Sequence, residues 1–597
     1  AGSYRRVTTT VTRESQGMAQ GRKLNRLFRP GLDRARIYRA GPSAKATWGS
    51  AIMGVPDGRL RTMRVEAVKA HGRLPRGAAL GLASLAQTNG WKRDPLTIVT
   101  KTALTAYVEM VWASLLPEAA ARSYLNKGLA LAQKLHPWRS VKEPISALVL
   151  TLARVKWGFV QGDPYKLHNA QGCVYDVRRH SPAFFGHMIA LDCRSAIGLE
   201  EAARQGPSMW GWCVPPFWQP IRDLTHHRSE VWDLHHQRAL RSLIQNTYWC
   251  QARVGAADPS VPSSCQLCGY KDGSLFHRRF RCEAHDGWRR DFLDLALRQA
   301  AGEVEGLGYP FTDIFARGLF ADVSETYVRP PRPADDYFQR STSWHDLGPH
   351  LDGEHVFIDG SGFDQAYPNL RSAGFSVVVY GADLRLVAEA WGAVPISEAP
   401  EQLARDGEDY GVKALTDQIA GGKFSLYIDC MATVRCAGAP EAAASAASQR
   451  AHIWAGRSEA LQHATVIKVK ARLGQKAVRD GLISQFELDG NSRADMRAKE
   501  GATAARASMD DILVIEGCHA LARMAAQFAA AQEVHISRVG LSDSMGVGAL
   551  KIIDLGYWPE DLGDEGHGEA HETSVPAAPP VCIDQGSPVG RAKRASS

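Results

Sequence analysis

One short stretch constrains the fold more than any other: an apolar run that leads directly into an acidic residue and three small ones. The run His355-Val356-Phe357-Ile358 has the composition of a buried strand, and Asp359-Gly360-Ser361-Gly362 follows it. A strand that ends in this way delivers a carboxylate to an open edge of a sheet. Asp-Gly is also a common hairpin turn, so a simple turn is the alternative for this stretch alone.

The sequence around this stretch predicts a mixed sheet with helices on its faces. Apolar runs bounded by glycine or polar residues predict strands at 355–358, 374–380, 384–391, 424–428 and 465–469. Spaced apolar residues predict helices at 400–419, 449–463 and 491–506, the last with Asn491 as its N-cap, and an apolar helix at 513–531. The order predicts an α/β domain with a mixed five-stranded sheet flanked by helices.

Four acidic residues fall at structurally comparable places in this domain. Asp359 and Asp429 follow strands, while Glu408 and Asp495 lie in helices. If the first and fourth strands are neighbours, all four carboxylates converge, and they repel one another unless cations neutralise them. Mg²⁺ suits oxygen ligands of this kind, and two such ions can activate a water and stabilise a leaving oxygen. Taken singly, each acid is equally compatible with a turn, a helix N-terminus or a solvated face.

The pattern strand-Asp-Gly-Ser, helix-Glu, strand-Asp and Asn-x-x-Ala-Asp resembles the type 1 ribonuclease H domain, over about residues 352–507. The resemblance implies a ribonuclease H-like fold and a metal-dependent endonuclease that hydrolyses the RNA strand of RNA–DNA hybrids. It implies Mg²⁺ or Mn²⁺ as cofactor, with these catalytic and metal-binding residues: Asp359, Glu408, Asp429 and Asp495. The expected contacts to the hybrid substrate come from Gly360, Ser361, Asn491 and Arg472.

This sequence departs from the family's pattern in three places. Arg472 stands where the family often has a histidine, and an arginine cannot shuttle protons near neutral pH. Cys430 replaces the usual serine after Asp429, and two glycines, Gly407 and Gly411, predict an irregular helix around Glu408. These departures predict an intact fold with impaired activity. Two neighbours compete with Glu408 as the helical ligand, Asp406 and Asp409.

A second constellation of metal-ligand residues lies upstream. Two cysteines two residues apart form a tight knuckle, and a histidine and a third cysteine follow: Cys265, Cys268, His277 and Cys282. Four such ligands predict a closed, structural Zn²⁺ site. His285 competes for the fourth position, and two buried cysteines near a surface histidine are the alternative. The segment resembles the zinc-binding segment after the reverse transcriptase in non-LTR retrotransposon polyproteins. Basic residues that suit nucleic acid surround it: Lys271, Arg278, Arg279, Arg281, Arg289 and Arg290.

Length and composition set the remaining expectations. A chain of 597 residues accommodates several domains, the net charge of +8 permits a polyanionic partner, and eleven scattered cysteines indicate a reducing compartment. With no signal peptide and no long apolar run, we expect an intracellular protein, nuclear or cytoplasmic, without membrane contact. The expected divisions are a basic, mainly helical region (1–250), the zinc knuckle (251–300), a linker (301–351), the nuclease-like domain (352–507), a helical extension (508–560) and a disordered tail (561–597).

The resemblances together predict part of a retroelement polyprotein, with a reverse transcriptase as a possible partner in the same polyprotein. The start at Ala1-Gly2-Ser3 suggests a fragment. A polymerase's own paired-Asp hairpin is not found, because Asp335-Asp336 sits in a Pro-rich stretch. Two alternatives stay open. One is a non-catalytic nucleic-acid-binding remnant with a decayed nuclease domain. The other is an integrase or resolvase, which the order of the acids disfavours.

Overall fold

The computed structural model describes residues 4–26, 33–71, 78–86, 90–205, 217–227, 229–248, 250–309, 311–327, 338–364, 367–470 and 473–539. The chain divides into two compact units. The first unit comprises residues 1–74, 87–197 and 323–513, and the second comprises 75–86, 198–322 and 514–597. The expected nuclease-like range 352–507 therefore lies in the first unit and the knuckle in the second.

The larger sheet belongs to the first unit and is mixed, as predicted, but it has six strands instead of five. A small antiparallel sheet comes first in the chain, with β1 (Gly158–Phe159), β2 (Lys166–His168) and β3 (Val174–Asp176). The six strands of the larger sheet, in the spatial order β4-β7-β6-β5-β8-β9, are β4 (Gln339–Arg340), β5 (His355–Phe363), β6 (Ser372–Tyr380), β7 (Leu386–Ala393), β8 (Ser425–Ile428) and β9 (Thr465–Lys468).

The extra strand is short and lies at the edge of the sheet. β4 pairs antiparallel with β7 through Gln339↔Trp391 and Arg340↔Ala390. Its residues come from the range 301–351, which the sequence led us to expect as a linker. The end of that range therefore contributes to the sheet.

The register of β5 corrects the prediction that Asp359 ends a strand. β5 runs parallel to β8 only as far as Ile358↔Ile428. It runs antiparallel to β6 much further, through Asp359↔Ser376 and on to Phe363↔Ser372. The alternative interpretation of Asp359-Gly360 as a hairpin turn is therefore wrong, because the pairing with β6 continues through both residues. Asp359 instead lies where β8 leaves the side of β5.

Helices cover both faces of the larger sheet, and the alternation along β5 explains how. Val356 and Ile358 point into one core cluster, which includes Val412 and Leu415 of the helix Ala404–Gln418. Phe357 between them points to the other face, where it packs with Ala494 of the helix Gln485–Ala504. Successive side chains of a strand point to opposite faces, so a strand covered on both sides is apolar throughout.

The helix that carries Asp495 begins earlier than predicted. It spans Gln485–Ala504, and its N-cap is Ser484, not Asn491. The Ser484 hydroxyl accepts from the backbone N–H of Glu487 at 3.1 Å, and the Glu487 carboxylate accepts from the Ser484 N–H at 2.8 Å. This reciprocal capping box satisfies two free N–H groups, which fixes the helix start six residues ahead of the expected one.

Other helices also differ from the expected bounds. The single helix predicted at 449–463 is two short ones, and two further helices precede it. The helices of the first unit are Tyr4–Arg26, Arg34–Tyr38, Ala44–Ala46, Ser50–Met53, Asp57–His71, Gly90–Arg93, Pro95–Trp112, Glu118–Ala132, Pro144–Ala153, Ala404–Gln418, Met431–Ala437, Pro440–Ala443, Ala451–Trp454, Ser458–Leu461, Gln475–Arg479 and Gln485–Ala504. Proline and glycine between the short helices limit their length.

The second unit is mainly helical around its own apolar core. Its helices are Leu80–Leu85, Gln219–His226, Leu234–Ile244, Gln251–Ala257, Asp286–Phe292, Leu295–Leu307 and Phe311–Ala316. Two long helices, Pro182–Gln205 and Met509–Val539, contribute residues to both units. Phe280 and Trp288 of the knuckle segment pack in this core against Phe528.

One helix among the described residues, Met509–Ser537, is long and apolar enough to cross a membrane by length and composition. Within the most apolar stretch of this helix, 44% is buried inside the protein. Ala525, Phe528 and Ala529 lie in the apolar core of the second unit. Since the core helix of a globular domain has the same composition, this helix is weak evidence for a membrane span.

Candidate metal centres

Three of the four predicted carboxylates lie together at the carboxyl end of β8. Asp359, Glu408 and Asp429 each place a side-chain oxygen within 4.8 Å of the other two. Asp359 and Glu408 are buried, with exposed fractions of 5% and 4%, and Asp429 is half-buried. The side chains thus form a pocket of acidic oxygens with one partly open side.

Strand pairing explains why the two aspartates meet. The parallel pair Ile358↔Ile428 is the last one between β5 and β8, and each isoleucine is followed directly by an aspartate. Neighbouring parallel strands place residues at matched positions side by side. Asp359 and Asp429 therefore leave the sheet at adjacent points.

Glycines bring Glu408 to the same place. A Cβ atom on Gly360 would lie 2.3 Å from the Ala404 carbonyl oxygen and from the Glu408 backbone nitrogen. A Cβ on Gly407 would lie 2.0 Å from the Gly374 carbonyl oxygen. The helix Ala404–Gln418 therefore rests directly on the backbone of the sheet, at a distance that only glycine permits. Gly407 does not make the helix irregular, as we had expected, because the helix continues through it without interruption.

Burial and mutual repulsion disfavour the ionised carboxylates. Burial, the charge of Asp429 and the charge of Asp495 raise the pKa of Asp359 to about 7. Burial, the charge of Asp359 and the proximity of Asp429 raise the pKa of Glu408 well above its usual range. Glu408 Oε2 is also buried with no hydrogen-bond partner among the described residues. An unpaired acidic oxygen beside two more carboxylates fits a cation ligand set.

Asp495 approaches this pocket without joining the close cluster. Its charge raises the pKa of Asp359, so the two carboxylates are near each other. Its own side chain is 44% exposed and accepts from Lys499 Nζ at 2.8 Å. Lys499 is a neighbour of the site that the sequence reasoning missed, although its position four residues after Asp495 on a helix was a usable signal.

The two rival acids of the Glu408 helix have structural partners. Asp406 Oδ1 accepts from Arg450 Nε at 2.6 Å, and its other oxygen caps the Leu403 backbone N–H at 2.8 Å. Asp409 accepts from the Thr433 hydroxyl at 2.9 Å and lies 3.4 Å from Arg450 Nε. Arg450 was not singled out in the sequence. Because Arg450 engages the carboxylates of both Asp406 and Asp409, Glu408 is the candidate metal ligand of this helix.

The predicted substrate-contacting residues are placed as follows. The Gly360 N–H donates to Asp359 Oδ1 at 2.7 Å, and Ser361 lies within β5, opposite Gly374. Asn491 is half-buried inside its helix, two turns after the N-cap. Outside this predicted set, Lys468 Nζ donates to the backbone carbonyl oxygens of Asp429 and Val469, at the ends of β8 and β9. Arg472 lies outside the described residues.

The predicted zinc ligands also lie together, in the second unit. Cys265, Cys268, His277 and Cys282 place their ligand atoms within 4.8 Å of one another. The sulfurs of Cys265 and Cys282 are 3.8 Å apart, and Cys268 Sγ is 3.2 Å from His277 Nε2. A tetrahedron with metal–sulfur bonds of about 2.3 Å has sulfur–sulfur edges of about 3.8 Å. The cluster therefore has the size that a metal such as zinc requires.

The knuckle's backbone favours thiolates in this cluster. Gly269 has φ +77° and its N–H donates to the Cys265 carbonyl oxygen at 2.8 Å, which closes the turn. Burial opposes ionisation of Cys265, but hydrogen bonds from the N–H groups of Leu267 and Cys268 and with the side chains of Cys268 and Cys282 together lower the pKa of this thiol. Burial, followed by hydrogen bonds with Cys268 and Cys265, raises the pKa of Cys282 to about 12. A bound cation relieves this competition between thiolates.

His285, the competing ligand, is not part of the cluster. It is buried beside His535, with ring centroids 6.1 Å apart. Several of the surrounding arginines already form hydrogen bonds or ion pairs within the protein. Arg279 is fully buried and donates to Ala529, Gln532 and Glu533, while Arg281 pairs with Glu305 and Arg289 with Asp286. Three of the six basic residues around the knuckle are thus engaged in contacts within the second unit.

Comparison of this chain with protein-family models, with curated proteins and with solved structures finds no match. The interpretation of the two centres therefore rests on their geometry and on the residues that form them.

Proposed function

We propose that the chain is a metal-dependent endonuclease of the ribonuclease H type, which hydrolyses the RNA strand of RNA–DNA hybrids. The observation that carries the proposal is the buried pocket of Asp359, Glu408 and Asp429, whose side-chain oxygens lie within 4.8 Å of one another. The order β7-β6-β5-β8-β9, with β5 and β8 parallel at its centre, supports it, since it resembles the ribonuclease H sheet.

The three carboxylates would hold Mg²⁺ or Mn²⁺. Bound divalent ions lower the pKa of an attacking water and stabilise the leaving oxygen of a phosphodiester. Asp359 and Glu408 contribute buried ligands held by β5 and by the glycine-packed helix, so their positions are fixed before substrate arrives. Asp429 and Asp495 are more exposed, so a phosphate would approach the ions past these two side chains.

The Cys265, Cys268, His277 and Cys282 cluster would hold a structural Zn²⁺. Four protein ligands leave no open coordination position for a substrate, which excludes a hydrolytic role for this metal. Its expected contribution is to the folding of the knuckle segment, whose side chains pack in the core of the second unit. Membership of a retroelement polyprotein with a reverse transcriptase stays a proposal that rests on sequence resemblance.

The test is cleavage of an end-labelled RNA–DNA hybrid by the full chain in Mg²⁺. We expect cleavage of the RNA strand by the wild-type chain, none of a DNA duplex, and none by Asp359→Asn. The variant Asp489→Asn is the matched control, because Asp489 is an exposed residue of the Asp495 helix, bonded to Gln485. Equal hybrid cleavage by Asp359→Asn and the wild type would contradict the assignment.

The non-catalytic alternative predicts hybrid binding without cleavage in either Mg²⁺ or Mn²⁺. One departure in its favour was the expected irregularity of the helix at Glu408. That helix is continuous, and its glycines position Glu408 beside Asp359. The geometry of the pocket therefore favours the catalytic proposal.

A further inference from the structure

The positive charge of this chain is concentrated at its N-terminal end. Residues 1–71 contain 15 lysines and arginines but only 4 acidic residues, while the whole chain has a net charge of +8. The remainder of the chain is therefore slightly acidic. Such asymmetry within one chain identifies the segment that a polyanion would contact.

The four acids of this segment are already occupied. Glu14 pairs with Arg59 at 3.1 Å, and Glu66 accepts from Asn25 at 2.9 Å. Asp57 pairs with Arg154 at 2.7 Å, and Asp33 caps a helix by accepting from the Arg36 N–H at 2.9 Å. These acids therefore neutralise few of the segment's cations.

Five of the cations without acidic partners lie together on two adjacent helices. They are Arg22, Lys23 and Arg26, on the exposed side of the helix Tyr4–Arg26, and Arg36 and Arg39, in and just after the helix Arg34–Tyr38. All five are exposed, and none forms an ion pair with an acidic side chain within the described ranges 4–26 and 33–71 or elsewhere in the described chain. We call these five residues the N-terminal basic face.

Backbone packing holds the two helices side by side. A Cβ on Gly21 would lie 2.8 Å from the Tyr38 ring, so the helices touch at this point. Arg34 Nη1 donates to the Asn25 carbonyl oxygen at 3.3 Å, and the buried Tyr38 packs with Leu24 and Ala67. The cationic side chains of the basic face thus belong to two helices that are packed against each other. This packing reduces the conformational entropy that is lost when a ligand binds.

We propose that the N-terminal basic face binds the sugar–phosphate backbone of a nucleic-acid duplex. Four of its five cations are arginines, whose planar donors match phosphate oxygens. A lipid surface also attracts cations, but peripheral membrane helices add large apolar side chains on the same side. Within the described residues 22–26 and 33–39, Ile37 is the one large apolar side chain that is exposed, at 43%. That the duplex is an RNA–DNA hybrid rests on the proposed function, but duplex binding does not.

The experiment measures the salt dependence of duplex affinity by fluorescence anisotropy. The full chain carries Asp359→Asn to prevent cleavage, and the ligands are a labelled hybrid and a labelled DNA duplex. Each neutralised phosphate adds about −0.9 to the slope of log K against log salt for a DNA duplex. We expect Arg22→Ala with Arg26→Ala to make the slope less negative by about 2 and to weaken binding on the order of 10-fold near 0.1 M salt.

The matched control replaces arginines that are equally exposed but already paired. Arg122 pairs with Glu118 at 2.9 Å, and Arg178 pairs with Asp176 at 2.6 Å. We expect Arg122→Ala with Arg178→Ala to leave the slope unchanged. An unchanged slope and affinity in the Arg22/Arg26 variant would overturn the proposal. So would tighter binding of the wild-type chain to anionic vesicles than to either duplex, with vesicle binding alone lost in the variant.

The outcomes also separate this proposal from the nuclease. Duplex binding that depends on Arg22 and Arg26, in a chain whose wild type does not cleave hybrids, would support the basic face and reject the nuclease. Cleavage of hybrids with no change in the slope would do the reverse.

Discussion

Asp359 is the residue on which the proposed chemistry depends most. It is 5% exposed, and its neighbours in the pocket are two further carboxylates. Its pKa of about 7 lies above the value of an unfolded aspartate, so without a metal ion the folded state favours the protonated form. The stability from this group is present at acidic pH and is lost as the pH rises through about 7.

The first prediction concerns that pH dependence. In buffer without added divalent ions, Asp359→Asn should be more stable than the wild type at pH 8, by about 1–3 kcal/mol, because it removes a buried charge next to two others. Near pH 4 the two proteins should be similarly stable. Urea denaturation at both pH values, with zinc-loaded protein, measures the difference. Asp489→Asn should behave as the wild type does, and equal stabilities of Asp359→Asn and the wild type at pH 8 would argue against a crowded acidic pocket.

The second prediction concerns the glycine beneath the Glu408 helix. In Gly360→Ala the new Cβ would meet backbone atoms of Ala404 and Glu408 at 2.3 Å, and neither can move without shifting the helix. We expect a loss of about 1–3 kcal/mol in unfolding free energy. Gly58→Ala, at a helical position with nothing within 4 Å of its Cβ, should be neutral or slightly stabilising. A similar effect of both substitutions on denaturation would mean that the close approach is not real.

Many of the residues of the candidate site could be predicted from the sequence. Asp359 and Asp429 were predicted because an apolar run followed by an acid is a local signal, and Glu408 because its helix and its place in the order of the acids match the family's pattern. The pairing of Asp495 with Lys499 and the role of Arg450 were missed, because long side chains choose among several partners. The close approach at Gly360 was missed as well, since it depends on a residue 48 positions later in the chain, Glu408.

At the scale of elements, the helix Gln485–Ala504 shows what a local pattern leaves open. The sequence analysis predicted Asn491 as the N-cap, but Ser484, which is of the same class of capping residues, is the one observed. Ser484 is the N-cap because Glu487 completes a capping box and because Phe486 packs beside Phe357, at 5.4 Å between ring centroids. Tertiary packing therefore selects the helix start.

The third prediction follows from this difference. Ser484→Ala should lower the unfolding free energy by about 1 kcal/mol, the usual effect of removing a capping side chain. Asn491→Ala should have a smaller effect, or stabilise the chain slightly, since alanine is the better residue inside a helix. Chemical denaturation of the two variants decides the matter. The reverse order of effects would restore Asn491 as the N-cap.

Strand existence was predicted better than strand extent. All five predicted strands occur, because each has a compact apolar run. β5 extends past Asp359 because β6 supplies hydrogen-bond partners as far as Phe363. The local sequence of β5 contains no signal of this pairing. The edge strand β4 has only two residues, Gln339 and Arg340, too few for any periodic pattern.

At the scale of the whole molecule, segments far apart in sequence form each unit. Residues 87–197 share a unit with the large sheet, and His187 contacts Glu401, just before the helix Ala404–Gln418 that covers the sheet, at 2.8 Å. The buried rings of His180 and His452 pack against each other there, with centroids 4.6 Å apart and an angle of 44° between the ring planes. Division of the chain by sequence position did not anticipate this, because such contacts leave no trace in local composition.

The fourth prediction uses the division into two units. The zinc ligands all lie in the second unit, so a zinc chelator should lower the unfolding temperature of one calorimetric transition and leave the other nearly unchanged. Cys268→Ser should reproduce the effect, with loss of about one Zn²⁺ per chain by metal analysis. Cys173→Ser, at an exposed cysteine outside the cluster, should retain the metal. Retention of zinc by Cys268→Ser would contradict the proposed ligand set.

The most direct test of the central claim is binding of Mn²⁺ to the carboxylate pocket, followed by electron paramagnetic resonance of the free ion. We expect the wild-type chain and Asp489→Asn to bind at least about one Mn²⁺ at this site, and Asp359→Asn to lose that binding. Mg²⁺ should compete with the bound Mn²⁺. If Asp359→Asn binds Mn²⁺ as the wild type does, the pocket of Asp359, Glu408 and Asp429 is not a metal site, and the proposed nuclease chemistry is contradicted.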